Sequence, residues 1–106
     1  MPKYLVQFRY SPEGSKGALQ EGGTKRRAAV KKAVESTGGT LECFYYSFGE
    51  FDGVFIADVP DTASVAAFSL LANASGAVSN RTTVLLAPSE IDAAARKKVD
   101  YRRPGK

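Results

Sequence analysis

The best candidates for chemistry in this sequence are four polar residues in or beside predicted strands: Arg9, Tyr46, Asp52 and Arg81. Asp52 stands in a turn, where aspartate usually bonds its own main chain; at the mouth of a pocket it would instead accept a proton or hydrogen bond from a ligand. An arginine in a strand usually pairs with a carboxylate, whereas one that faces a pocket offers several donors to an anionic ligand. All four are predicted ligand-binding residues.

The missing residue types limit the chemistry further. The sequence has no histidine and no tryptophan. Without histidine there is no Ser-His-Asp or Cys-His catalysis, no histidine zinc site and no histidine-ligated haem. No glycine-rich segment has the spacing of a phosphate loop or a dinucleotide-binding turn. We therefore expect no cofactor and no metal, so that any activity depends on carboxylate, tyrosine and arginine side chains.

The net charge of +4 reflects 15 basic and 11 acidic residues. The basic residues cluster on predicted helices and in the tail, at Lys25–Arg27, Lys31–Lys32, Arg96–Lys98 and Arg102–Lys106. No RNA-binding or zinc-finger signature accompanies them, and solvated helix faces explain them. Nucleic acid is therefore not an expected partner.

Two further features bear on the compartment. The one cysteine, Cys43, lies in an apolar run, which is typical of a buried thiol. No stretch has the length and apolarity of a signal peptide or a membrane span, so we expect a cytoplasmic protein without a membrane partner.

Apolar periodicity and turn residues predict the order βαββαβ. The predicted strands are Tyr4–Tyr10, Thr40–Phe48, Val54–Val59 and Ala77–Ala87, and the main helices are Thr24–Ser36 and a helix capped by Asp61 that ends near Ala74. Four glycines between Glu13 and Gly23 predict a short helical turn between loops. After Pro88, a capping box of Ser89 and Asp92 predicts a short terminal helix.

This order predicts an α+β, ferredoxin-like fold, with a four-stranded antiparallel sheet and both crossover helices on one face. We expect a single domain over residues 1–100, followed by a basic tail over 101–106. The strands at Leu41–Phe48 and Val54–Val59 are apolar on both faces, whereas a sheet with one solvated face alternates. A second copy is expected to cover the other face, with Phe48 and Ile56 at the interface.

Three segments carry a resemblance to a known family: Tyr10–Gly14, Phe48–Asp52 and Asn73–Gly76. They resemble the GYD domain family of small bacterial proteins, from about Tyr4 to Arg102. The resemblance implies a dimeric α+β barrel and, for Tyr46 rather than Tyr45, a place facing the pocket. It implies no activity, because the family is of uncharacterised function. Phe51 stands where the family name leads one to expect tyrosine, so a role for that hydroxyl is not expected.

Two functions follow as expectations. The first is a homodimeric module that binds a small apolar or weakly anionic ligand in a pocket between sheet and helices, or an interaction module of the same architecture. The alternative is a cofactor-independent enzyme, a monooxygenase or isomerase, that uses Asp52, Tyr46 and Arg81. The second rests on fold analogy with related barrel families.

Overall fold

The computed structural model describes the whole chain, Met1–Lys106. Its elements are β1 Lys3–Tyr10, α1 Pro12–Glu21, α2 Gly23–Ser36, β2 Thr40–Tyr46, β3 Gly53–Asp58, α3 Thr62–Ala74, β4 Val78–Leu85 and α4 Pro88–Ala95. The four strands form one sheet in the order β2-β3-β1-β4, and all neighbours are antiparallel. This is the predicted ferredoxin-like topology, in which each crossover leaves room for one strand between the two strands that it connects.

The segment after β1 is a regular helix, and the predicted short turn between loops was wrong. α1 begins where the Ser11 hydroxyl accepts a hydrogen bond from the Gly14 N–H at 3.1 Å, with Pro12 in its first turn. Gly14 is buried, and a Cβ atom there would lie 1.9 Å from the carbonyl oxygen of Ala77. Glycine at this position permits close packing rather than flexibility.

Two other helices begin slightly away from their predicted caps. α2 starts at Gly23, with Gly22 as its N-cap and no capping side chain, so Thr24 lies inside the helix. α4 starts at Pro88, and the Glu90 carboxylate accepts a hydrogen bond from the Ala87 N–H at 2.9 Å. This bond replaces the predicted box of Ser89 and Asp92.

Asp61 caps α3 as predicted. Its carboxylate accepts the Ser64 N–H at 2.8 Å, and this bond to the charged form lowers the pKa of Asp61. A lowered pKa means that the stabilisation is present above about pH 4 and is lost as the pH falls through the folded-state value. We expect Asp61→Ala to lower the Tm by a few degrees at neutral pH and by less at pH 2. Thermal unfolding at both pH values checks this, and an undiminished difference at pH 2 contradicts it.

The core lies on the face of the sheet that meets the helices. Phe8 and Phe55 from the central strands contact Phe44 from β2 at ring-centroid distances of 5.6 and 5.9 Å. Val34 is the most deeply buried large side chain of any helix. The remaining buried apolar residues are Tyr4, Val6, Leu41, Ala57 and Val59.

The opposite face of the sheet, called the open face below, has no element of the chain packed on it. The strand pairing, with a bulge between Leu41 and Cys43 in β2, places six apolar side chains there: Leu5, Cys43, Tyr45, Val54, Ile56 and Leu85. Leu5 and Ile56 are directly paired at its centre. Cys43 is half-buried rather than buried as predicted, because it lies on this face. β2 and β3 therefore carry apolar side chains on both faces, as the sequence predicted, whereas polar residues such as Gln7, Arg81 and Thr83 also lie on the open face.

The C-terminal part of the chain extends from this body. α4 has no buried residue and no extended contact with another helix or strand, and the molecule is 56 Å long against 33 and 22 Å in its other dimensions. Beyond Ala95 the chain forms no further helix or strand. None of the helices combines the length and the apolarity needed to cross a bilayer.

Candidate functional site

A cavity of about 490 Å³ lies between the helix-packed face of the sheet and the helices α1, α2 and α3. It exists because α2 packs on β2 and α3 packs on β4, whereas α2 and α3 do not pack closely on each other. Small residues on the helices leave the gap open: Gly17, Ala18, Ala29, Ala33 and Ala72. Packed interiors leave few voids larger than a water molecule, and this volume lies within the range of small-molecule pockets.

The floor of the cavity is aromatic. Phe8 and Phe55 lie on adjacent strands with ring centroids 6.4 Å apart, and Phe68 of α3 meets Phe55 edge-on at 6.0 Å. Tyr10 continues the row, with its ring 5.4 Å from that of Phe8. A floor of this kind favours apolar or flat ligand groups, because ring contacts add to the free energy of area burial.

Few polar groups reach the cavity. The Ser69 hydroxyl donates to Oδ1 of Asn80 at 3.0 Å, which leaves the amide N–H groups of Asn80 available as donors. The Arg26 guanidinium lies 3.6 Å from the Glu21 carboxylate, a loose and partly exposed pair. Asn80 and Arg26 thus offer hydrogen-bond donors to a ligand, beside the other polar residues of the lining, Glu13, Glu21 and Ser75.

Tyr46 lies on the helix-packed face and Tyr45 on the open face. Tyr46 lies beside the cavity and is not one of the residues that line it. The Tyr46 ring packs edge-on against Phe44 at 5.1 Å, and its hydroxyl donates to the carbonyl oxygen of Gly23 at 3.0 Å. Partial burial, together with the neighbouring Tyr10, raises the pKa of Tyr46. The phenol therefore stays protonated at neutral pH and acts as a donor.

Asp52 joins the β2–β3 connection to β1. Its carboxylate accepts a hydrogen bond from the Tyr10 N–H at 2.7 Å, and its own N–H donates to the carbonyl oxygen of Phe8 at 2.8 Å. Its carbonyl oxygen accepts the Ser47 N–H at 2.9 Å. The side chain does not line the cavity. The hydrogen bonds of Asp52 anchor the β2–β3 connection to β1, and bonds to the main chain are the usual role of aspartate in a turn.

Arg9 and Arg81 meet on the open face around the ring of Phe51. Each guanidinium carbon lies 5.5 Å from the ring centroid of Phe51, within the range of cation–π contact. Arg9 also donates from Nε to the carbonyl oxygen of Glu50 at 2.8 Å. The ring of Phe51 thus holds two guanidinium groups by cation–π contact. This contact does not require the hydroxyl group that a tyrosine would add.

The structure brings two of the four predicted ligand-binding residues together, Arg9 and Arg81, and separates them from Tyr46. The set that the alternative enzyme would use does not converge, because Tyr46 lies on the helix-packed face and Arg81 on the open face. No group of three or more cysteine, aspartate or glutamate side chains is arranged to bind a metal ion.

The two predicted interface residues are both accessible. Ile56 is half-buried at the centre of the open face, between Leu5 and Cys43 on the neighbouring strands. Phe48 lies in the β2–β3 connection, and its side chain is 99% exposed.

Sequence reasoning missed the polar groups of the cavity. Val78, Asn80 and Thr82 lie on the same, helix-packed side of β4. An amide side chain in this inward-facing row was a signal that the sequence offered. Arg26 gave no signal, because it belongs to a basic run whose other members are exposed.

Comparisons with known proteins agree with this architecture. The family model described as GYD domain matches residues 4–95. No curated protein matches the chain. Among solved structures, the crystal structure of FFRP-DM1 is similar with a TM-score of 0.52 and 11% identity, over 81% of this chain and 100% of that chain. This likeness shows the fold alone.

A second solved structure is the NE2512 protein of unknown function from Nitrosomonas europaea. It has 22% identity and a TM-score of 0.43, and the match covers 81% of this chain and 90% of that chain.

Proposed function

The chain belongs to the GYD domain family, and on that premise we propose that it is a homodimeric module that binds a small ligand in the cavity between the sheet and helices α1, α2 and α3. The second copy covers the open face, so the ligand site and the dimer interface lie on opposite sides of one sheet. The observation that carries the ligand proposal is the cavity itself.

The cavity lies in the same layer as the core, and the core residues Val6, Phe8 and Phe55 line it. A gap there removes contacts that would stabilise the monomer, and residues such as Gly17, Ala29 and Ala72 preserve the gap rather than fill it. An apolar ligand in this space would restore those contacts and stabilise the folded state in proportion to its occupancy.

The ligand is small and mainly apolar, with one acceptor or a weakly anionic group. Its apolar part lies on the floor of Phe8, Phe55 and Phe68, and its polar group accepts hydrogen bonds from Asn80 or Arg26. Tyr46 supports the site from beside it. Arg9 and Arg81 point to the open face, so we assign them to the interface and not to this ligand.

The open face supports the dimer. Its centre is a continuous apolar surface around Leu5, Val54 and Ile56, and exposing such a surface to water is costly. The commonest homo-oligomer is a two-fold dimer, in which the same surface of each copy forms the interface, and such a dimer would cover the open face. Phe48, which is 99% exposed in its own chain, extends the proposed interface from the β2–β3 connection.

Fluorescent probes test the cavity. We expect the uncharged probe 1-N-phenylnaphthylamine and the anionic probe 8-anilinonaphthalene-1-sulfonate to bind, with enhanced fluorescence. Gly17→Leu places a side chain where a Cβ meets no atom within 4 Å, and it should weaken probe binding about tenfold or more by filling the cavity. Gly17→Ala is the matched control and should change affinity little. Ala72→Phe blocks the opposite wall and should act like Gly17→Leu.

A fourth variant distinguishes between the two apolar surfaces of the protein. Ile56→Asp changes the open face only, so probe affinity should survive it. If Gly17→Leu and Ala72→Phe both fold and both bind the probes as the unmodified protein does, the cavity is not the binding site.

A further inference from the structure

The open face carries charge of opposite sign at its two ends. At one end, Lys3 of β1 lies between the carboxylates of Glu42 and Asp58, the latter at 3.1 Å from Nζ. This group, called the acidic end below, has a net charge of −1. The other end holds the arginine cluster of Arg9, Phe51 and Arg81, with a net charge of +2. Lys3 and Arg9 are six positions apart in β1, or about 20 Å along a strand.

The arginine cluster has no acidic partner in its own chain. The Arg9 side chain donates only to the carbonyl oxygen of Glu50, and the Arg81 side chain makes neither a hydrogen bond nor an ion pair within the chain. Phe51 holds both guanidinium groups at 5.5 Å and restricts their rotamers. Two positioned guanidinium groups without a carboxylate are suited to receive one.

The acidic end has an excess of negative charge. Glu42 and Asp58 share one ammonium group, so their combined charge is only half compensated. Both lie on the face that displays the arginine cluster, because Lys3 and Asp58 are paired across β1 and β3 on the open side. Their remaining lone pairs are available to donors that approach from above the sheet.

We propose that a second copy of this chain seats its acidic end on the arginine cluster, so that the two-fold axis crosses the strands rather than running along them. This inference rests on the proposed homodimer and adds its orientation. The symmetry supplies the contact twice, with the apolar patch of Leu5, Val54 and Ile56 between the two polar ends.

The alternative axis has a clear physical cost. A two-fold axis that runs along the strands lays like ends together, which brings four guanidinium groups around two Phe51 rings and leaves the carboxylates facing each other. Like charges opposed across an interface weaken association, whereas opposite charges fix its register. The charge pattern therefore selects the crossing axis.

Charge reversal tests the orientation by sedimentation equilibrium. Arg81→Glu places a carboxylate over the acidic end of the partner, so we expect the dimer Kd to rise about tenfold or more. The double variant Arg81→Glu/Asp58→Lys restores opposite charges across the interface and should recover most of the affinity. Arg27→Glu makes the same charge change at an exposed position of α2 and should leave the Kd unchanged.

The ring of Phe51 adds a second test. Phe51→Tyr should keep the affinity because it keeps the ring, whereas Phe51→Leu should weaken the dimer by releasing the guanidinium groups.

Each outcome has one meaning. If Arg81→Glu strengthens the dimer or leaves it unchanged, the crossing axis is wrong although the homodimer stands. If the unmodified protein is a monomer, the dimer itself fails and this inference falls with it. If inorganic phosphate raises the Tm of the unmodified protein but not that of Arg81→Gln, while Arg81→Glu does not alter the Kd, the cluster binds free anions and the proposal is overturned.

Discussion

Ile56→Asp is expected to convert the proposed dimer into a folded monomer, with a dimer Kd raised about 100-fold or more. Ile56 is paired with Leu5 and Cys43 at the centre of the open face, so both copies would bury a new carboxylate near the two-fold axis. An ionised carboxylate buried without a partner costs several kcal/mol, roughly, and the two carboxylates also repel each other.

The monomer should survive this change. Ile56 points away from the core, whose members in β3 are Phe55 and Ala57. Circular dichroism should therefore show native secondary structure while sedimentation equilibrium reports the smaller species. Ile56→Val keeps the apolar surface and is the control. An unchanged Kd for Ile56→Asp means that the open face is not the interface.

Phe48→Asp examines the same interface from its edge. The side chain is 99% exposed in the monomer, so the substitution cannot disturb the core. We expect a weaker dimer, but a smaller effect than that of Ile56→Asp, because residues at the rim of an interface keep access to water. A larger effect for Phe48→Asp would move the centre of the interface towards the β2–β3 connection.

Gly14→Ala and Gly17→Ala are expected to have opposite effects on stability, although they make the same change in the same helix. A Cβ atom at position 14 would lie 1.9 Å from the carbonyl oxygen of Ala77. That oxygen cannot move aside freely, because it also accepts the Ser11 N–H at 2.9 Å. We expect Gly14→Ala to lower the free energy of unfolding by about 2 kcal/mol or more, as overpacking does.

At position 17 a Cβ atom meets nothing within 4 Å. Gly17→Ala should therefore stabilise the protein by about 0.5 to 1 kcal/mol, because alanine loses less conformational freedom than glycine in a helix. Urea unfolding of both variants measures the difference. Equal effects on stability would mean that α1 does not pack against the Ala77 main chain as described.

The sheet was predictable because strand faces alternate in sequence. The alternation of Tyr4, Val6 and Phe8 with Leu5, Gln7 and Arg9 predicted both sides of β1, and the pairing in the sheet confirms it. The same logic predicted that two strands are apolar on both faces. Asp61 was a recognisable cap because its carboxylate precedes an apolar run.

α1 was not predictable in the same way, because a glycine in sequence does not reveal whether it serves a turn or a close contact. Gly14 serves a contact with Ala77, a residue 63 positions away in the chain. Only the tertiary structure brings these two residues together, so the local pattern favoured a loop.

The cavity was predicted only in outline. A pocket between sheet and helices was expected, but its walls depend on the separation of α2 and α3, which no local pattern encodes. Arg9 and Arg81 lie on the open face, away from that pocket, because of the alternation along their strands. The cation–π contact of both side chains with Phe51 was not predicted. Their function as interface residues stays a prediction.

Multi-angle light scattering of the unmodified protein at micromolar concentration is the most direct test of the central claim, that a second copy covers the open face. We predict a mass of about 23 kDa, twice the 11.3 kDa of one chain. A species of 11.3 kDa at that concentration would contradict the account.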